Sequence, residues 1–130
     1  MLHKKTLMGL LLACGCIFFV ASCYKNKTVP LNVPEITKTV SFSQDLVPIF
    51  NKSCNTSGCH STGGQTPNLS AANAFNSLTI GNYFDKNAPE NSIIYQKMTG
   101  KRGTPMPVSG VNKEYAALIL AWIKQGANNN

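Results

Sequence analysis

The chain has 130 residues, the length of a single domain, and its twelve Lys and Arg against five Asp and Glu give a formal net charge of +7. Charged residues make up 13% of the chain and hydrophobic residues 43%, which excludes a disordered tail, a collagen-like repeat and a coiled coil. The chain is notable for soft metal ligands: five Cys, two His and four Met. An odd number of unevenly spread cysteines also excludes a disulfide-dense scaffold.

A basic start followed by an apolar run predicts an export signal over residues 1–22. Lys4 and Lys5 precede residues 7–21, which carry no charge and are too few for the roughly 20 residues that span a bilayer as a helix. The run ends in small residues before Cys23, and this ending resembles the lipobox of bacterial lipoproteins, in which the cysteine is acylated and becomes the mature N-terminus. A plain signal peptide cut near Ser22 and a short uncleaved anchor are the alternatives.

Processing at this site would change the composition of the mature protein. Ten Lys and Arg would remain against five acidic residues, a net charge of +5. Two cysteines and one histidine are lost with the signal, and Cys23 is used for the lipid. The soft ligands that remain are Cys54, Cys59, His60, Met98 and Met106.

Residues 23–40 are predicted to form a lipid-anchored tether. They show no sustained helical period, and Pro30 and Pro34 lack backbone donors and bias their neighbours towards extended geometry. A first strand of a sheet is the weaker interpretation, because both prolines would interrupt its hydrogen bonds.

Residues 41–130 are predicted to form a small all-α domain, since no alternating strand pattern of useful length occurs in them. The predicted helix starts are Ser43, Ser70, Pro89 and Asn112, and the predicted glycine stops of the last three helices are Gly81, Gly100 and Gly126. Pro48 requires the first helix to start later than Ser43 unless the proline lies in its first turn. The fourth helix is the clearest, because its apolar residues recur at helical spacing, and residues 128–130 are expected to fray.

The motif Cys54-Asn-Thr-Ser-Gly-Cys59-His60 is typical of covalent haem attachment. Two thiols can add to the two vinyl groups of haem, and the adjacent imidazole can then bind the iron. The usual motif has two residues between the cysteines, and this one has four. Residues five apart on a helix differ by roughly 140° in direction, so the segment must loop out, for which Gly58 is well suited.

With these residues the chain resembles the small c-type cytochromes of bacterial lipoproteins, which are related to class I cytochrome c. The resemblance covers residues 41–126 and includes the helix before the motif, Thr66-Pro67-Asn68-Leu69, Pro105-Met106-Pro107 and the C-terminal helix with Trp122. It implies a cytochrome c-like fold wrapped around one covalent haem c. It also implies that Leu69 packs on the haem and that the Pro67 carbonyl accepts a hydrogen bond from the His60 imidazole.

The sixth iron ligand is a choice between two methionines. Met106 lies between two prolines in a stiff loop that presents one thioether, whereas Met98 lies on a helical face beside Ile94, where core packing is the better interpretation. Lys101, Lys113 or an open position are further alternatives. The haem pocket is expected to be walled by Phe50, Leu69, Leu118 and Trp122.

Other interpretations of the motif explain fewer residues. A haem-free lipoprotein interaction module with a Cys54–Cys59 disulfide leaves His60 without a role. A zinc site would have only three ligands, and a copper chaperone using Cys54, Cys59 and Met106 is a minor alternative.

The expected function is that of a membrane-tethered electron carrier. Its partners would be redox proteins of the bacterial cell envelope, on the periplasmic side, and export argues against nucleic acid. Lys97, Lys101 and Arg102 are either a solvated loop or a positive rim that steers an acidic partner. Without a carboxylate pair or a Ser/His constellation, no catalysis and no small-molecule substrate are inferred.

Overall fold

The computed structural model describes residues 32–130, and in this range the chain is helical with no strand. The predicted all-α class is confirmed. The predicted signal peptide, Cys23 and the tether up to residue 31 lie outside the described residues. No helix within residues 32–130 is long and apolar enough to cross a membrane.

Four α-helices and two shorter helical turns make up the described range. A π-helical turn, Phe42–Leu46, runs directly into α1, Val47–Ser53. Helix α2 spans Ala74–Ile80, a 3₁₀ turn spans Pro89–Asn91, α3 spans Ile93–Met98 and α4 spans Lys113–Lys124.

Helix α4 forms the centre of the core, and both of its ends agree with the sequence pattern. The side chain of Asn112 accepts a hydrogen bond from the backbone N–H of Tyr115 at 3.0 Å, which confirms the predicted cap. Gly126 has a φ of +104°, the left-handed region that ends helices. The buried side chains of the helix are Ala116, Ala117, Ile119, Leu120, Trp122 and Ile123.

An aromatic cluster surrounds Trp122, which is almost completely buried. Its ring centroid lies 5.3 Å from that of Phe42, 6.4 Å from Phe75 and 5.0 Å from Phe84. The indole N–H donates to the backbone carbonyl of Asn128 at 2.9 Å, so the buried polar atom of this side chain is satisfied. The cluster joins α4 to the start of the first helix and to α2.

The first helix begins earlier than predicted. Ser41, not Ser43, is the N-cap: its hydroxyl accepts from the N–H of Gln44 at 3.2 Å, and the Asp45 carboxylate accepts from the N–H of Ser41 at 2.8 Å. The π-helical turn takes up the residues before Val47. Pro48 therefore lies in the first turn of α1, where its missing N–H costs little.

The second and third helices are shorter than predicted. Ser70 does not cap α2 because its hydroxyl donates to the Asn68 side chain at 2.8 Å, and the helix starts only at Ala74. Pro89 opens a separate 3₁₀ turn, and α3 starts after the buried Ser92, whose hydroxyl accepts from the backbone N–H of Asp85. The predicted glycine at the end of α2, Gly81, is its C-cap.

The segments on both sides of the helical core are held to it. Val40 is buried, its N–H donates to the Gln125 side chain at 2.8 Å, and Val33 and Ile36 pack on the core. The folded unit thus includes residues that the sequence assigns to the tether. The expectation of a frayed tail is wrong, since Asn130 accepts three hydrogen bonds from residues 41–43.

Candidate functional site

A cavity of about 230 Å³ lies between the end of α1, the segment 60–69, α3 and the loop that carries Met106. Six of the predicted site and pocket-wall residues line it: Phe50, Cys54, His60, Pro67, Leu69 and Met106. The rest of its wall is mostly apolar. Cofactor pockets usually measure roughly 300–1,000 Å³, and this cleft is open on one side, so a larger ligand would protrude from it.

The segment between the two cysteines loops out, as their spacing predicts. Cys54 ends α1, and its N–H still donates to the carbonyl of Phe50 at 2.9 Å. The chain then turns through Gly58, with a φ of +78°, and the N–H of His60 returns to the carbonyl of Cys54 at 3.1 Å. The loop therefore closes on itself and brings the imidazole-bearing residue back beside the first cysteine.

The two thiols differ in their surroundings. Cys54 is half-buried at the cavity and Cys59 is exposed, and both are free. Burial raises the pKa of the Cys54 thiol to about 11, and the charge of Cys59 adds to the effect. Cys54 is therefore a neutral thiol at physiological pH.

The turn after the second cysteine requires a glycine. The N–H of Gln65 donates to the Cys59 carbonyl at 2.6 Å, which closes the turn. A Cβ atom on Gly64 would lie only 2.3 Å from that carbonyl oxygen, so no other residue fits without a backbone shift. This close approach fixes the tight turn that follows His60.

His60 is held at both its backbone and its ring. Its carbonyl accepts from the N–H of Leu69 at 2.7 Å, and its Nδ1 lies 3.0 Å from the Pro67 carbonyl and 3.3 Å from the Gln65 carbonyl. A carbonyl oxygen only accepts hydrogen bonds, so Nδ1 carries the proton in these contacts, and Nε2 is the ring nitrogen that they leave free. The hydrogen bond to Pro67 that the resemblance implies is present.

Both candidate methionines line the cavity, but they are held differently. Met98 is buried in α3, with 4% of its surface exposed. Met106 is half-buried on the loop after α3, and its N–H donates to the carbonyl of Lys97 at 2.9 Å. Met106 thus lies on an anchored loop, whereas the Met98 side chain is part of the hydrophobic core.

Three residues that the sequence associates with the haem pocket do not line the cavity: Cys59, Leu118 and Trp122. Cys59 is exposed beside it. Trp122 belongs to the aromatic cluster on α4, and Leu118 is partly buried against the core.

Several residues that line the cavity were not predicted from the sequence. These are Gln65, Leu78, Tyr83 and Ile93, while Lys97 was predicted only as part of a possible positive rim. Leu78 carries a helical-face signal, but Tyr83 lies in an irregular segment with none. The ring of Tyr83 rests against Gly81, where a Cβ atom would lie 2.2 Å from its Cε2.

The basic residues near Met106 do not form one uniform group. Lys101 and Arg102 are exposed, and the ammonium of Lys101 lies 5.7 Å from the centre of the Tyr95 ring. Lys97 is half-buried at the cavity.

Within residues 32–130, no group of three or more His, Cys, Asp or Glu side chains is arranged to hold a metal ion. The donors at the cavity are one imidazole, one thiol and two thioethers. No protein-family model, curated protein or solved structure matches the chain.

Proposed function

We propose that the chain is a membrane-tethered monohaem c-type cytochrome that carries electrons in the bacterial cell envelope. Its fold would be a cytochrome c-like arrangement of helices around one covalent haem. The main support is the geometry of His60, whose Nδ1 is hydrogen-bonded to the Pro67 carbonyl in the wall of a cavity that also contains Cys54 and Met106.

The hydrogen bonds of His60 suit an axial iron ligand. Histidines that bind metals usually donate their other ring N–H to a carbonyl, which fixes the tautomer and the ring orientation. Here the Pro67 and Gln65 carbonyls occupy Nδ1, and Nε2 is the nitrogen that would bind the iron.

The two cysteines suit covalent attachment. Each would add its S–H across one vinyl double bond: the sulfur bonds to one carbon, the hydrogen goes to the other, and no oxidant is consumed. The segment between them is not helical, so the two thiols are not held the roughly 140° apart that a helix would impose. The motif ends at His60, whose N–H bonds back to the Cys54 carbonyl.

The remaining ligands suit an electron carrier. When bound, haem iron exchanges one electron between its ferrous and ferric states. Met106 would be the sixth ligand, and a His/Met pair raises the reduction potential relative to two histidines. His60 and Met106 together would leave no iron ligand position for a substrate, so the partners would be redox proteins of the envelope, reached from a lipid anchor at Cys23.

Two alternatives remain for the same residues: a haem-free interaction module with a Cys54–Cys59 disulfide, and a copper chaperone using these thiols with Met106. The cytochrome proposal requires the hydrogen bond between His60 and Pro67, and these two alternatives do not.

The decisive experiment is expression of the full chain with the c-type maturation machinery, followed by a pyridine haemochrome spectrum and an intact mass. We expect one covalent haem per chain. The double variant Cys54→Ser with Cys59→Ser should have the apoprotein mass, and Cys23→Ala is the matched control that keeps the haem. A colourless wild-type protein at apoprotein mass would refute the cytochrome proposal.

The lipid anchor is tested separately by cell fractionation. Wild-type protein should be found with the membranes, and Cys23→Ala should move it to the soluble fraction. Membrane retention of Cys23→Ala would contradict lipidation at this residue without affecting the haem proposal.

A further inference from the structure

Lys97 differs from every other Lys and Arg in the described part of the chain. It is half-buried, whereas Arg102 and the remaining lysines of residues 32–130 are exposed. It is also the only Lys, Arg, Asp or Glu that lines the cavity. Its position on the last turn of α3 makes it part of the wall of a mostly apolar cleft.

The charge of Lys97 has no counterpart in the described protein. All five acidic residues of the chain lie within residues 32–130, and the two ion pairs found there are Lys38 with Asp45 and Lys124 with Glu90. Lys97 is therefore available to pair with an anionic group that enters the cavity.

We propose that Lys97 binds the propionate carboxylates of the haem, an inference that rests on the proposed function. In haem the two vinyl groups and the two propionates occupy opposite halves of the ring. Attachment to Cys54 and Cys59 would direct the propionates away from the motif. Lys97 belongs to a different wall of the cavity, on α3, and provides a cation for them.

The local backbone supports this role for Lys97. Its carbonyl accepts from the N–H of Met106 at 2.9 Å, so the residue that carries the charge also anchors the loop of the proposed sixth ligand. A Cβ atom on Gly103 would lie 3.9 Å from the Lys97 Nζ, which places the ammonium beside the same loop. Lys97 would thus connect the acidic edge of the haem to the position of the methionine.

The test compares two porphyrins that differ only at the propionates. The full chain, made without the maturation machinery, is titrated with iron protoporphyrin IX and with its dimethyl ester, and binding is followed by Soret absorbance. We expect roughly tenfold tighter binding of the diacid, the value of one charge-assisted hydrogen bond. Lys97→Gln should abolish this preference and Lys97→Arg should keep it.

Lys101→Gln is the matched control, because it removes the same charge from an exposed lysine four residues away and should leave the preference unchanged. Equal binding of the two porphyrins by the wild type, or an equal loss of preference in Lys101→Gln, would overturn the role of Lys97 while leaving the cytochrome proposal intact. If neither porphyrin binds and the matured chain carries no haem, both proposals are wrong.

Discussion

The choice between Met106 and Met98 as sixth ligand can be tested with a pair of matched variants, Met106→Ala and Met98→Ala. In the ferric holoprotein, Met106→Ala should abolish the charge-transfer band between the methionine sulfur and the iron. Met98→Ala should keep the band. The reason is the position of the two side chains: Met106 projects from a loop anchored to Lys97, and Met98 is fixed in the core of α3.

The two variants should differ in the opposite sense in stability: Met98→Ala should lose more packing energy than Met106→Ala. Met98 is only 4% exposed, and truncation of such a side chain costs about 2–5 kcal/mol. At about 4–8 °C per kcal/mol for a domain of this size, the Met98→Ala holoprotein should unfold at least roughly 8 °C below the wild type. Met106 is half-buried, so its truncation removes about 1 kcal/mol of packing in addition to the bond to iron.

Near-infrared absorbance of the ferric proteins measures the band, and thermal unfolding followed by circular dichroism measures stability. The expected combination is a destabilised Met98→Ala protein that retains the band. If the band persists in Met106→Ala and disappears in Met98→Ala, the assignment is wrong. If both variants retain it, neither methionine is the ligand.

Three further predictions concern the stability of the fold. Deletion of residues 128–130 removes the acceptors of four hydrogen bonds, including the partner of the buried Trp122 indole. It should lower the free energy of unfolding by about 2–4 kcal/mol in guanidinium titrations. An unchanged unfolding midpoint would mean that water replaces these contacts. The hydrogen bond from Lys38 lowers the pKa of Asp45 below its ordinary value of 3.8. The ion pair therefore contributes fully to the free energy of unfolding above pH 3.8, and this contribution is lost as the pH falls through the folded-state pKa. Asp45→Asn should remove about 0.2–1 kcal/mol at pH 7 and progressively less as the pH falls through the folded-state pKa, and a loss that does not change with pH would contradict the charge argument. Gly64→Ala forces a backbone shift at the Cys59 carbonyl and should lower the free energy of unfolding by about 1–3 kcal/mol. A lower yield of haem-loaded protein is the second readout. A variant as stable as the wild type would refute the predicted clash.

The sequence predicts most reliably those elements whose signals are local. Asn112 caps α4 as expected, because the cap, the apolar period and the glycine stop all agree. The predicted caps Ser43 and Ser70 are wrong, because which serine caps a helix depends on its other hydrogen-bond partners. Ser41 is held by Asp45 and Asn130 and caps the first helix, whereas the Ser70 hydroxyl bonds to Asn68. Sequence position alone does not reveal such contacts.

In the candidate site, too, features with local sequence signals could be predicted, and features that depend on tertiary contacts could not. The motif and the Pro67–Leu69 segment bring Cys54, His60 and Pro67 to one cavity, as their pattern suggests. The position of Trp122 could not be predicted, because an apolar helical face does not specify whether a tryptophan meets a ligand or the aromatic side chains of other elements. Only the tertiary fold distinguishes the half-buried Lys97 from its exposed neighbours.

The two walls of the cavity are stabilised in the same way, by backbone carbonyls that position a side chain able to bind iron. On one wall the Pro67 carbonyl orients the His60 ring, and on the other the Lys97 carbonyl holds the backbone of Met106. Because these contacts use main-chain atoms, side-chain substitutions of Pro67 or Lys97 can leave them in place. Lys97→Gln should therefore lose the porphyrin preference and retain the methionine band. This result would show that the ammonium of Lys97 binds the propionates, whereas its carbonyl holds the loop of Met106.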